Sequence, residues 1–365
     1  MRRRDFIGGA LGLGIVMTAS LGGVRGSNKD AADLILRAVK SGKLRAAVLE
    51  VRRQTTTYRK AFGEAQSSDA PFLIASITKP MTAVGMMVLA DRGELSLGDP
   101  VHKFIPEFQN GDRGSITIKN LLTHTSGLPD QLPENIELRK RQAPLEEFVA
   151  RAIKTPLLFK PGTRVQYQSM GFLLASEVAR RITKTPFPKF LDQEVFQPLG
   201  MGRTVLGLGR FDISESPRSQ VEYAEPLYGG GAEDTTSWDW NSPYWRNLAT
   251  PWGGAHSTGP DVAKLLDAFL HPEDNVLKPE TAASMIVDQN QGLNEPWGIG
   301  FSLRPGQFGR ESSPRTFGHG GSTGTIAWAD PERDRICVLL TTLPARVSRE
   351  SILKPVSDLI SHSET

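Results

Sequence analysis

Strand-forming sequence in this chain is confined to its two ends, and that placement constrains the fold more than any other feature. Residues 44–51 and 55–62 are β-rich runs separated by a charged turn, which predicts a hairpin, and 72–75 leads into a long helical pattern ending near Gly93. Residues 297–303, 325–329 and 336–343 read as strands at the other end. Helical spacing marks 30–40, 348–362 and, in the long middle, 145–153, 170–182 and 261–270. The pattern predicts a mixed fold of the α/β (α+β) class: one antiparallel sheet built from both chain ends, flanked by the terminal helices, with a mainly helical region inserted. A chain of 365 residues, 39% hydrophobic and 23% charged, is long enough to bury such a core. Residues 229–234, followed by Trp238, Trp240, Tyr244 and Trp245, read as a long irregular loop of the kind that carries function or motion.

The formal net charge is +3, and Arg2, Arg3, Arg4 and Arg25 against Asp5 supply all of it. The remainder is neutral and offers no basic footprint for nucleic acid. A single cysteine, Cys337, excludes an internal disulfide and Cys-based zinc spacing, and its apolar neighbours predict a buried thiol. The histidines include no His-Glu-x-x-His, no acidic cluster suggests a hard cation, and no glycine-rich phosphate loop follows a strand. Neither metal nor cofactor is expected.

Residues 1–26 combine a basic start, an apolar stretch over 6–21 and a small-residue segment, the pattern of a cleavable export signal. The Arg3-Arg4-Asp5-Phe6-Ile7 core resembles a twin-arginine signal, which implies a periplasmic or extracellular protein. The alternative is an uncleaved anchor, since the apolar stretch approaches membrane-spanning length; its glycines weaken that reading. Residues 27–365 are expected to form the functional domain, with no stable membrane association after cleavage.

Ser-x-x-Lys occurs at Ser76–Lys79, at the start of a predicted helix, and again at Ser351–Lys354. Three-residue spacing on a helix puts hydroxyl and amine on one face, where the amine can help remove the hydroxyl proton. Spacing alone does not distinguish the two copies.

Context does. Ile74-Ala75-Ser76-Ile77-Thr78-Lys79-Pro80, then Gly93-Glu94-Leu95-Ser96-Leu97-Gly98-Asp99-Pro100, then Ile118-Lys119-Asn120-Leu121-Leu122-Thr123-His124-Thr125-Ser126-Gly127-Leu128-Pro129 resemble the class C β-lactamase-related serine hydrolases. That family includes penicillin-binding DD-peptidases, D-aminopeptidases and family VIII-type esterases of the β-lactamase fold. The resemblance continues through Tyr167-Gln168-Ser169, Gly253-Gly254-Ala255-His256-Ser257-Thr258 and Gly318-His319-Gly320-Gly321-Ser322. It implies that Ser76 is the acylated nucleophile, that Lys79 assists its deprotonation, and that Tyr167 is the general base. A phenol with a pKa of about 10 needs nearby cations for that task; the resemblance assigns Lys79 and His319. His319 stands where many relatives carry the lysine of Lys-Thr-Gly and would also meet a substrate carboxylate or carbonyl. Gly320 and Gly321 would leave a strand edge open to substrate, and the Ser322 N–H would join that of Ser76 in an oxyanion hole.

Two positions depart from the family pattern. Ser169 replaces an asparagine that donates to a substrate amide and contacts the lysine, and His319, unlike lysine, carries full charge only below about pH 6.5. Both changes favour esters. His124 is expected to bond its own loop, and Thr258 to cap a helix with Asp261 at its third position. The expected protein is a secreted, metal-free serine hydrolase acting through an acyl-enzyme on small-molecule esters, amides or D-peptides, with esterase activity favoured. A true β-lactamase or DD-peptidase, and a catalytically weak ligand-binding or sensor protein, are the alternatives.

Overall fold

The computed structural model describes residues 22–227, 233–274 and 276–362. The first 21 residues of the expected export signal, and residues 229–232 of the expected loop, lie outside these. Eight strands, β1 (Ala46–Arg53), β2 (Thr56–Gly63), β3 (Phe72–Leu73), β4 (Val205–Leu206), β5 (Ala255–Ser257), β6 (Phe317–Gly321), β7 (Thr325–Asp330) and β8 (Arg335–Thr341), form two sheets. The longer helices are α1 (Gly22–Lys40), α2 (Thr78–Asp91), α3 (Leu145–Lys154), α4 (Met170–Thr183), α5 (Gly259–Leu270) and α6 (Lys354–Ser361).

The main sheet has the order β2-β1-β8-β7-β6 and is antiparallel throughout. Its central pairing joins the two ends of the chain, with Leu49 opposite Leu339. Period-two alternation assigns each strand residue to one of two cores. Ala47, Leu49, Val51, Cys337 and Leu339 face α1 and α6, whereas Ala46, Val48, Ile336, Val338 and Leu340 face α5 and the helical insert. Burial pushes the Cys337 thiol up to about 12, so it is an inert packing group. A small sheet, β3-β5-β4, sits in the insert.

Three expectations need correction. Helix α1 begins at Gly22 rather than residue 30. The stretch 297–303 is not a strand: it makes only isolated bridges, Trp297–Ser302 and Ser302–Gly318. There the chain turns at Gly300 (φ +79°), where a Cβ would lie 2.5 Å from the Ala83 Cβ of α2. Thirdly, the tryptophan-rich stretch is largely core. Trp238, Trp240 and Trp245 are buried, and the buried Arg139 guanidinium lies 4.9 Å from the Trp238 ring and 3.8 Å from that of Trp245.

Candidate active site

The chain reaches Ser76 through a strained residue. Ala75 is left-handed at φ +46°, a conformation costly for a residue with a Cβ, and it breaks β3 into the 3-10 turn Ala75–Ile77 that precedes α2. Ser76 is thereby left part-exposed at the head of a helix that is buried from Thr78 to Leu89. The turn is fastened on both sides. Ile74 N–H donates to the Ala255 carbonyl at 3.0 Å, Thr78 Oγ1 to the Ala75 carbonyl at 2.7 Å, and Thr325 Oγ1 to the Ile74 carbonyl at 2.9 Å.

Lys79 follows on the first turn of α2. Its Nζ donates to Ser76 Oγ at 3.2 Å and to the Trp252 carbonyl at 3.0 Å, and lies 4.7 Å from the centre of the Tyr167 ring. Complete burial pulls its pKa from 10.5 down to about 7, while Asp130 acts in the opposite sense. Near neutral pH the amine therefore exchanges between charged and neutral forms.

Tyr167 is placed by His124, which lies opposite it in a left-handed conformation (φ +63°). The His124 carbonyl accepts from Gln166 N–H at 2.9 Å, and its Nδ1 accepts from Gln168 N–H at 3.1 Å. One residue thus holds the amides on either side of Tyr167, and its ring lies tilted against the phenol at 4.6 Å between centroids. Because Nδ1 accepts, the imidazole is neutral, and burial keeps its pKa well below the usual histidine range. The expectation that His124 bonds its own loop is corrected: its ring and carbonyl bond the segment that carries Tyr167.

His319, on edge strand β6, is buried, and its ring centroid lies 6.1 Å from that of Tyr167. Its Nδ1 donates to the Gly320 carbonyl at 2.6 Å, whereas Nε2 is buried with no hydrogen-bond partner. Burial, with Lys79 adding to it, pulls the pKa down to about 3. The expectation that His319 supplies a second cation is corrected: it is a neutral ring with an acceptor lone pair at Nε2. Gly321, on the same edge strand, has a packing reason as well. A Cβ there would come 2.5 Å from the Ile74 carbonyl and 2.2 Å from Thr325 Oγ1, so glycine lets β6 cross the turn that carries Ser76. Gly320 has open space on that side, its nearest neighbour being the Thr325 carbonyl at 3.8 Å. Ser322 is exposed in the β6–β7 turn and borders a cleft of about 330 Å³ with Trp240, Pro344 and Arg346.

Ser169 stands at the N-cap of α4, but its Oγ donates to Asp130 Oδ1 at 2.6 Å rather than capping the helix. The second Ser-x-x-Lys is taken apart by its partners. Ser351 is exposed and bonds back to the Val347 carbonyl, while Lys354 pairs with Asp358 at 3.0 Å. Thr258 caps α5 as expected, accepting from Asp261 N–H. Among the described residues no cluster of potential metal ligands occurs.

The Beta-lactamase family profile matches residues 31–356. The chain belongs to that family. It is 35% identical over 202 residues to Esterase EstB of Burkholderia gladioli, a match that covers 47% of this chain and 51% of the esterase. The chain thus spans about half the length of that relative. Among solved structures, EstCE1, a hydrolase with promiscuous acyltransferase activity, superposes with a TM-score of 0.76 at 20% identity, covering 93% of this chain and 99% of that one. The D-amino acid amidase of Ochrobactrum anthropi SV3 gives 0.73 at 21% identity, covering 92% and 97%. At these identities the structural likeness shows the β-lactamase fold.

Three contributors to this Beta-lactamase-family site had roles that the sequence did not disclose. The Trp252 carbonyl acts through backbone, which any residue supplies. His124 was visible as a residue, but its hold on Tyr167 spans more than forty positions. Asp130 follows a Pro in a turn-rich segment where an acid passes for a turn residue.

Proposed function

We propose that this protein is an exported serine hydrolase that works through an acyl-enzyme on Ser76 and prefers simple esters. The contact that carries the reading is Lys79 Nζ to Ser76 Oγ at 3.2 Å, made by a fully buried amine that can be neutral at physiological pH and lies against the Tyr167 ring. A neutral Lys79, coupled with Tyr167, takes the Ser76 proton as Oγ attacks the substrate carbonyl carbon. The N–H groups of Ser76 and Ser322 receive the developing oxyanion. The proton then passes to the leaving alkoxide, and water deacylates Ser76 by the same route in reverse. The steps use the chain's own side chains and backbone N–H groups, with water as the second nucleophile.

Ester preference rests on charge. A neutral His319 offers no cation to the carboxylate of a β-lactam, and Ser169 spends its hydrogen on Asp130 instead of a substrate amide. Export rests on the sequence pattern of residues 1–26. The test is a fluorophosphonate probe on wild type, Ser76→Ala and Ser351→Ala. Wild type and Ser351→Ala should label rapidly and Ser76→Ala should not; equal labelling of all three, or none of wild type, would sink the assignment.

A further inference from the structure

The turn at residues 297–303 carries a side chain that the reaction leaves unused. Trp297 is buried, and its ring lies 5.9 Å from that of Tyr167, 5.8 Å from that of His319 and 4.3 Å from that of His124, between centroids. Its position is fixed independently of those three rings. The indole Nε1–H donates to Glu295 Oε1 at 2.6 Å, and Glu295 also pairs with Arg304. The turn itself is tied to the segment around His124: Gly300 N–H donates to the Leu122 carbonyl at 3.0 Å, and Asn290 Nδ2 to the Thr123 carbonyl at 2.9 Å. Indole and imidazole are therefore brought together by hydrogen bonds outside the pair.

The His124 and Trp297 planes stand at 75°, so the edge of one ring meets the face of the other. Two observations give the edge to His124. Tyr167 lies against a face of the imidazole, with the planes only 33° apart, and the indole N–H is already spent on Glu295. Because His124 Nδ1 accepts from Gln168 N–H, the neutral ring carries its proton on Nε2, and that buried N–H meets no oxygen or nitrogen acceptor. An aromatic face is a weak acceptor that suits it. We propose that Trp297 is a positioning residue for Tyr167: its indole face accepts the His124 Nε2–H and locks the imidazole in the tautomer and orientation that leave Nδ1 free to hold the Gln168 amide beside the phenol. Trp297 acts through His124 and not on substrate. The kinetic consequence rests on the serine-hydrolase reading; the contact between the rings does not.

The experiment compares wild type with Trp297→Phe, which keeps an aromatic face, and Trp297→Leu, which keeps apolar bulk without one. With p-nitrophenyl butyrate, Trp297→Leu should lower kcat on the order of 10- to 100-fold and change KM much less, as when a reacting group is displaced by up to about 1 Å. Trp297→Phe should recover kcat to within about threefold of wild type. Equal losses in both variants would mean that the indole acts as bulk or through Glu295, and an unchanged kcat in Trp297→Leu would mean that Tyr167 needs no such support; either result overturns the proposal. A second readout needs no turnover: the ¹H–¹⁵N imidazole NMR spectrum of wild type, with His124 identified by its absence from the His124→Gln spectrum. His124 should show the Nε2–H tautomer, its proton moved upfield by the indole ring current. An Nδ1–H tautomer, or an Nε2–H proton without that shift, overturns the proposal even where Trp297→Leu does not fold. If the upfield proton is present while wild type cleaves no ester, the ring contact stands and the hydrolase reading falls.

Discussion

Lys79→Met should make the folded protein more stable while destroying activity. Methionine keeps the length and most of the volume of lysine without the amine. In the native protein that amine is completely buried and its pKa stands at about 7 instead of 10.5. Between those two values the unfolded chain binds a proton that the folded chain does not, so the contribution of Lys79 to stability rises with pH across the window. Each pH unit of difference is worth about 1.4 kcal/mol, giving a penalty of about 5 kcal/mol at pH 7 that the methionine variant escapes. Against this, the Trp252 carbonyl loses its partner, at about 1–3 kcal/mol, while Ser76 is part-exposed and can turn to water. The variant should therefore gain about 2–4 kcal/mol at neutral pH. The slope is more decisive than the offset. Urea unfolding from pH 7.5 to 9.5 should show the advantage shrinking by about 1.4 kcal/mol per unit, about 3 kcal/mol in all, with every other titration common to both proteins. A difference independent of pH would mean that Lys79 titrates in the folded state as it does in water, and the argument from burial would be wrong.

Tyr167→Phe and Lys79→Ala should each lower kcat by a factor on the order of 10³ or more, and the double variant should be little worse than either, as for groups that move one proton together; additive losses in the cycle would assign them separate tasks. His124→Ala should cost about 2–4 kcal/mol of stability and lower kcat more than it raises KM, because the Gln168 amide loses its acceptor and the Tyr167 ring its neighbour, while the backbone bond to Gln166 remains. A variant with kcat intact would show that Tyr167 is held by other means. Wild type should hydrolyse short-chain p-nitrophenyl esters with a higher kcat/KM than penicillin, and Ser169→Asn should shift the ester-to-amide ratio toward amides by about two- to a hundred-fold. Faster turnover of penicillin than of butyrate ester in the unaltered protein would refute the reading of positions 169 and 319.

The sheet was readable where strands follow the simple rule of alternation and β-branched content, as β1, β2, β7 and β8 do. It was obscure at β6, where three glycines remove the propensity signal, two of them, Gly318 and Gly321, because the strand passes close to its neighbours. The same closeness produced the opposite error at 297–303, whose apolar pattern fits a turn pressed on α2 as well as a strand. In the site, residue identity was legible and charge state was not. Histidine at 319 could be named from sequence, but its neutrality follows from burial, which outweighs the opposite pull of the Gly320 carbonyl on the Nδ1 proton. Ser169 was equally visible, yet the partner that claims its hydroxyl lies thirty-nine residues back.

The pairing of β1 with β8 also orders events in time. Because β8 lies between β1 and β7, the main sheet cannot close until residue 341 has left the ribosome. Until then the β1 edge of the hairpin, which β8 later covers, is unpaired, and the turn bearing Ser76 lacks the Thr325 bond and the β6 crossing that fasten it. Loop closure over nearly three hundred residues is slow compared with local helix formation, so helices of the insert can form on the nascent chain well before the site exists. A nascent chain stalled short of β8 should hold helical structure and no acylable serine, which makes reactivity at Ser76 a report on completed folding.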